Sequence, residues 1–263
     1  MPAKITALSK ERHATKKLKR ATSYEFSRSF HLCKLGVQEF GQASASFPIV
    51  FIEQKDSENF IPVALMGLSN DENLFVSDTG SWDAEYIPAL IRRFPFFSTK
   101  IPDKEDEFLI SLDEGSDLIN DSEGEPLFDN EGNPTTLIDN IKRFLLEIHR
   151  FDTITDQFSG LLRECNLLTP FNIKAKIGES GMNINGIYAL NEERLKTISD
   201  KRFLELRDKQ FLGPIYAHLV SLGRFERLIE RKNLLNNKLT DAKPVESQKK
   251  KKQTRPTSEA QAK

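Results

Sequence analysis

Cysteine occurs twice in the 263 residues, tryptophan once, methionine three times and histidine four times. Two cysteines, Cys33 and Cys165, suffice for one bridge but not for a disulfide framework, which excludes a cysteine-stapled secreted miniprotein. No apolar run reaches the ~20 residues needed to span a bilayer, so a membrane permease is excluded. The opening MPAKITALSKERHATKKLKR is charged and has no apolar h-region. It is not a Sec-type signal, and on that ground the expected compartment is the cytoplasm. His13, His31, His149 and His218 share neither an i, i+4 pair nor an HxH spacing, so no metal site is expected. GxGxxG after a strand, Walker A, GxSxG and HExxH are all missing, and no cofactor is implied.

What is present is a chain of 38% hydrophobic and 29% charged residues with a formal net charge of -1. Its length fits one domain, or at most two small ones, with a core large enough to need neither disulfides nor a structural metal. The near-neutral total hides an asymmetry. Residues 1–20 hold seven bases and one acid, whereas Asp103 to Glu131 hold twelve acids and one lysine. These two segments can attract each other, within or between molecules. Lys249 to Lys252 make the end basic again. The last stretch lacks large apolar side chains and is expected to be disordered. The organisation read from this is a basic arm at 1–20, a single body at 21–238 and a disordered basic tail at 239–263. Internal repeats of solenoid length are missing.

The patterning predicts an α+β fold, with a small antiparallel or mixed sheet, a long central helix and a C-terminal helical segment. FPIVFIE at 47–53 and FIPVALMGL at 60–68 read as paired strands, and NLFVSD at 73–78 as a third. Pro62 places its strand at an edge or a bulge. Asp83 to Phe94 reads as a helix with Pro88 in its first turn. EFLISLD at 107–113 reads as a strand. Thr136 to Asp139 fits a capping box opening a long helix that Thr169-Pro170 closes. Residues 171–177 and 182–190 flank a hairpin signal, and Asn191 suits a helix cap. Gly213-Pro214 opens a helix with an apolar stripe from Ile215 to Ile229.

Chemistry-bearing groups concentrate in one place. Trp82, Asp83, Glu85 and Tyr86 fall within five positions, followed by Arg92 and Arg93. The functional reading is a ligand pocket or an acid/base pair, with the arginines gripping a carboxylate or phosphate. The structural reading is a helix start with aromatic packing, and it is favoured. The acidic loop is oxygen-rich but lacks EF-hand spacing, so it reads as a solvated turn region. His218 and Ser221 are helical neighbours, yet nothing supplies a third triad member or an oxyanion site, and a structural role is favoured. Both cysteines read as small buried apolar residues. The basic ends lack any recognisable nucleic-acid module, which argues against nucleic acid as a partner.

Several segments, in order, resemble the bacterial SapC family, named for a surface-array (S-layer) protein. They are ALSKERH at 7–13, LKRATSYEF at 18–26, FPIVFI at 47–52 and FIPVALMGL at 60–68. GSWDAEYIPALIRRFPF at 80–96 is the most distinctive. EGEPLFDNEG at 123–132, GIYALNEERL at 186–195 and LGPIYAHLVSLGRFERLI at 212–229 follow. The resemblance implies association with a surface layer, a structural or interaction role, and no catalytic residues to carry over. It offers the cell surface as an alternative location. Family members also tend to be encoded near tryptophan-halogenase-like proteins, which implies a second role as accessory to a flavin-dependent enzyme. Three functions therefore compete: a non-catalytic interaction or assembly protein that binds itself or a protein partner; an enzyme or accessory with Asp83, Glu85, Arg92 and Arg93 lining one pocket; and a nucleic-acid or membrane-surface binder acting through its ends.

Overall fold

A computed structural model describes residues 4–54, 59–101, 104–178 and 180–241. The chain opens with strand β1 (Ile5–Ala7), the helical turn α1 (Lys10–His13) and strand β2 (Lys17–Leu18). Strand β3 (Leu32–Lys34) and helix α2 (Phe40–Ala43) lead to the paired strands β4 (Ile49–Gln54) and β5 (Asn59–Leu65). After an irregular stretch come α3 (Ala89–Arg92), β6 (Phe96–Ile101), β7 (Lys104–Asp113), β8 (Ile119–Asn120) and β9 (Glu125–Pro126). Helix α4 (Thr136–Glu164) precedes the hairpin β10 (Leu168–Ile177) and β11 (Ser180–Leu190). Then follow α5 (Glu192–Thr197), α6 (Asp200–Asp208), α7 (Leu212–Ser221) and α8 (Arg224–Asp241).

The strands form one five-stranded sheet, β10-β11-β4-β5-β3, and two three-stranded sheets, β1-β7-β6 and β8-β2-β9. All pairings are antiparallel. With a long central helix and C-terminal helices, the architecture is the α+β class that the patterning predicts.

Rings fill the larger core. Phe40, Phe47, Phe51 and Phe158 are fully buried. Phe40 meets Phe158 edge-on at 5.8 Å, and Phe158 meets Phe211 at 5.1 Å. Burial of each such side chain stabilises the fold by roughly 1.5–3 kcal/mol, and edge-to-face contact adds to it. A second, smaller core gathers Phe96, Leu112, Ile119, Leu127, Phe128, Ile138 and Leu145. Helix α4 joins the two. Ile138 and Leu145 near its start belong to the smaller core, whereas Phe158, Leu161 and Leu162 near its end belong to the larger. Its 3.6-residue apolar stripe is long enough to serve both.

Several local expectations are corrected. Residues 73–78 form no strand, and Val76 makes a single isolated bridge to Trp82. The Asn73 side chain instead receives Phe75 N and donates to Ser27 O, which turns the segment away from an extended ladder. The helix expected at 83–94 shrinks to Ala89–Arg92 with Pro88 as its N-cap. The residue before a proline disfavours helical dihedrals, so Ile87 cannot continue a helix into Pro88. Strand β5 is interior, not an edge. Leu35 N donates to Pro62 O at 3.0 Å. Pro62 therefore turns its carbonyl and ring nitrogen toward the side where β3 has just ended, and no ladder donor is lost.

The long helix ends earlier than Thr169-Pro170. Cys165 is its C-cap and Asn166 adopts φ 51°, while Pro170 lies in the edge strand β10. Its N-cap is Thr135, whose hydroxyl donates to Pro126 O at 2.8 Å in place of a capping box. The C-terminal stripe is split between α7 and α8, because the first helix stops at Ser221. Asn191 does cap α5, accepting Arg194 N at 3.0 Å. Both cysteines are free thiols; Cys33 is buried and Cys165 half-buried.

The basic segment lies against the acidic one. β1 pairs with β7, and β2 is sandwiched between β8 and β9. Arg12 grips Glu114 through two bonds of 2.9 Å, and Lys4 reaches the same carboxylate at 3.0 Å. Lys16 meets Asp121 at 2.8 Å and Lys19 meets Glu123 at 2.9 Å. The Lys4 and Arg12 hydrogen bonds pull the Glu114 carboxyl down to about 2. Of the disordered tail expected at 239–263, residues 239–241 instead continue helix α8, and the rest lies outside the described residues. No helix among the described residues is long and apolar enough to cross a membrane.

Candidate functional site

A cleft of about 820 Å³ opens where the edge strand β3 of the large sheet approaches the β6–β7 sheet. Its walls come from four parts of the chain: the stretch from Lys19 to Phe30, β3, the run from Leu90 to Phe97, and the turn from Asp113 to Leu118. Strand alternation sets one wall. Phe96 turns into the smaller core while its neighbour Phe97 faces the cleft. Phe26 stacks on Phe94 at 3.9 Å with 14° between the planes, and Phe94 meets Phe97 edge-on at 6.5 Å. Phe30 also lines the cleft and is 41% exposed. The Phe94–Pro95 peptide bond is cis.

The polar lining is mostly engaged. Lys34 pairs with Asp152 at 2.6 Å and Lys19 with Glu123 at 2.9 Å. Glu25 is held by Arg28. Asp113 accepts Lys4 N at 2.8 Å and Gly115 N at 2.9 Å. Burial pushes the Cys33 thiol up to about 12, so it stays protonated and is a poor nucleophile. Arg93 differs. Its guanidinium lies 5.1 Å from the Phe97 ring centroid. Among the described residues, no carboxylate lies within ion-pair distance of it, and its buried Nε has no acceptor. Burial lowers its pKa, which remains that of a cation.

The six residues singled out in the sequence do not meet at one place. Trp82, Asp83 and Glu85 line a second cavity of about 350 Å³ with Phe75, Arg227 and Arg231. There Arg231 bonds Asp83 Oδ2 at 2.7 Å and stacks 4.6 Å over Phe75. Trp82 Nε1 donates to Tyr86 O at 2.9 Å. Tyr86 turns elsewhere and donates to Glu39 at 2.7 Å; burial, then this bond, raise its pKa. Exposed Arg92 lies over the Tyr86 and Phe144 rings. Arg93 alone of the six reaches the large cleft.

The sequence reading missed Phe26, Phe30 and Phe97. The run Phe94-Pro95-Phe96-Phe97 directly after two arginines was the available signal. His218 and Ser221 are fully buried and structural. His218 Nε2 accepts Leu190 N at 3.0 Å. Ser221 Oγ accepts Ile49 N at 3.0 Å and donates to His218 O at 2.6 Å. These bonds tie α7 to β11 and β4. No group of three or more potential metal ligands occurs among the described residues.

The SapC family model matches residues 8–228. The chain belongs to the SapC family. The match runs from the segment just after β1 to the second turn of α8, so it takes in both cores and all four walls of the cleft. No curated protein and no solved structure shows significant similarity to this SapC-family chain.

Proposed function

We propose that this SapC-family chain is a non-catalytic binding protein, and that the cleft walled by Phe26, Phe30, Phe94 and Phe97 is its binding site. The carrying observation is Arg93: a half-buried cation that lines the cleft beside its aromatic walls, with no carboxylate at ion-pair distance among the described residues. A half-buried guanidinium without a carboxylate partner keeps its outward N–H donors for an anion that enters the cleft. The neighbouring groups support binding over chemistry. The Cys33 thiol is protonated, and the carboxylates of Glu25 and Asp113 are tied to partners. The enzyme or accessory reading needs Asp83, Glu85, Arg92 and Arg93 on one concave site; they divide between two cavities and an exposed face.

The test is ligand-observed NMR on the full chain with a fragment set of aromatic and aliphatic compounds, compared with Phe26→Ala. Binders that are lost in the variant support the reading. A set that shows no binder, or binders indifferent to Phe26→Ala, sinks it.

A second reading, assembly with itself or a protein partner at a surface layer, draws on α7. Tyr216 and Val220 stand at i and i+4 on one helix face, 52% and 67% exposed. Light scattering after size exclusion, with Val220→Glu beside the parent, tests it. A concentration-dependent dimer that the variant abolishes supports it, and a strict monomer counts against it.

A further inference from the structure

The cleft's shape and its charge pattern select a class of ligand. We propose that it binds a carboxylate-headed amphiphile, with the head on the Arg93 guanidinium and the apolar body among Phe26, Phe30, Phe94 and Phe97. This rests on the binding reading above and deepens it.

Size is the first support. A volume of about 820 Å³ falls within the ~300–1,000 Å³ of cavities that enclose small organic ligands. Such sites combine apolar walls with a few convergent polar groups, as this one does. Leu32, Leu90 and Leu118 extend the apolar lining beyond the rings.

Charge is the second. Three cations line the cleft, and two are neutralised: Lys19 by Glu123 and Lys34 by Asp152. Arg93 is left with no carboxylate at ion-pair distance among the described residues, and Asp152 acts on it only from beyond that range. A guanidinium presents a planar fork of donors that a carboxylate accepts through two parallel bonds. Desolvation by the surrounding rings strengthens such a pair relative to one in open water.

The acids in the wall fix the head's charge. Glu25, Asp113 and Asp117 also line the cleft. A doubly charged phosphate would gain one arginine and face these carboxylates, whereas a singly charged carboxylate meets less repulsion for the same fork. The protonated Cys33 thiol at the wall gives no covalent anchor, so binding is reversible.

The experiment is calorimetric titration of the full chain with 4-phenylbutanoate, 6-phenylhexanoate and decanoate, and with their primary amides as neutral twins. The expected result is at least tenfold tighter binding of each carboxylate than of its amide. In Arg93→Met the preference disappears, while amide affinity stays within twofold of the parent, which also shows that the variant is folded. If carboxylate and amide bind the parent equally, the role of Arg93 is overturned and the binding reading survives. If neither series binds, both fall together.

Discussion

Tyr86 donates its phenol hydrogen to Glu39 Oε1 at 2.7 Å, and the same oxygen accepts Ala89 N at 2.8 Å. The other carboxylate oxygen accepts Gly36 N at 2.8 Å. One buried side chain thus holds the start of α3, and with it the Arg93–Phe97 wall, against the body. Tyr86→Phe should cost about 1–2 kcal/mol, and Glu39→Ala, which strands three donors, on the order of 3 kcal/mol or more. Urea denaturation of both and of the double variant checks this. The coupling should be clearly non-additive; strict additivity would show that the bond carries no weight.

His218 gives a pH dependence of known sign. Burial pushes its pKa down to about 4, with the Ile49 backbone opposing, against 6.5 for the ordinary group. The unfolded chain therefore binds the extra proton below pH 6.5 and the folded chain does not. This contribution to stability is full above about 6.5, falls through the window down to about 4, and then levels off. Its size is on the order of 3 kcal/mol. His218→Gln keeps an acceptor for Leu190 N and should flatten the loss across that window in denaturant midpoints taken from pH 7 to 4. An unchanged slope would contradict this.

Glu114 acts on the N-terminal segment in the same pH direction. Its carboxyl sits near 2, drawn down by Lys4 and Arg12. The benefit of ionisation is present above its usual 4.5 and is lost as pH falls toward 2. These ion pairs are exposed, so salt should weaken them too. Amide hydrogen exchange at Ile5–Ala7 should speed up at low pH or in 1 M salt relative to the β4 amides, after correction for intrinsic rates. Equal protection throughout would mean that strand pairing alone holds β1.

Gly124 tests the fit of β2 against the acidic turns. Its φ is +100°, and a Cβ there would lie 2.1 Å from Leu18 O. Gly178, at φ +61°, has nothing within 4 Å of the same atom. Gly178→Ala should cost about 1 kcal/mol from backbone strain alone. Gly124→Ala should cost at least ~2 kcal/mol more, since two backbones must separate. Thermal melts of the pair decide it; similar midpoints would refute the close packing of β2.

The fold was legible where one local rule decided the outcome. FPIVFIE and FIPVALMGL carry β-branched and aromatic runs with no competing periodicity. The α4 stripe repeats at helical spacing for many turns, and Gly178 to Gly181 punctuates the hairpin. The stretch from Met66 to Pro88 was illegible for a physical reason. Its shape is held by remote side chains: Lys232 on Glu72, Arg231 on Leu74 O and Asp83, and Asn73 on Ser27 O. The site fared likewise. The sequence drew attention to Arg93 as part of a dense cluster, but nothing local pairs it with Phe26 or Phe30. The sheet edge at β3 brings them together. Trp82 and Asp83, which stood out equally, serve packing and an ion pair with Arg231.

Aromatic NMR of the phenylalanine-labelled chain during titration with decanoate tests the cleft most directly. The account predicts shifts concentrated on Phe26, Phe30, Phe94 and Phe97, with Phe40, Phe47, Phe51 and Phe158 of the larger core unmoved. Shifts spread over both groups, or none at saturating decanoate, would contradict it.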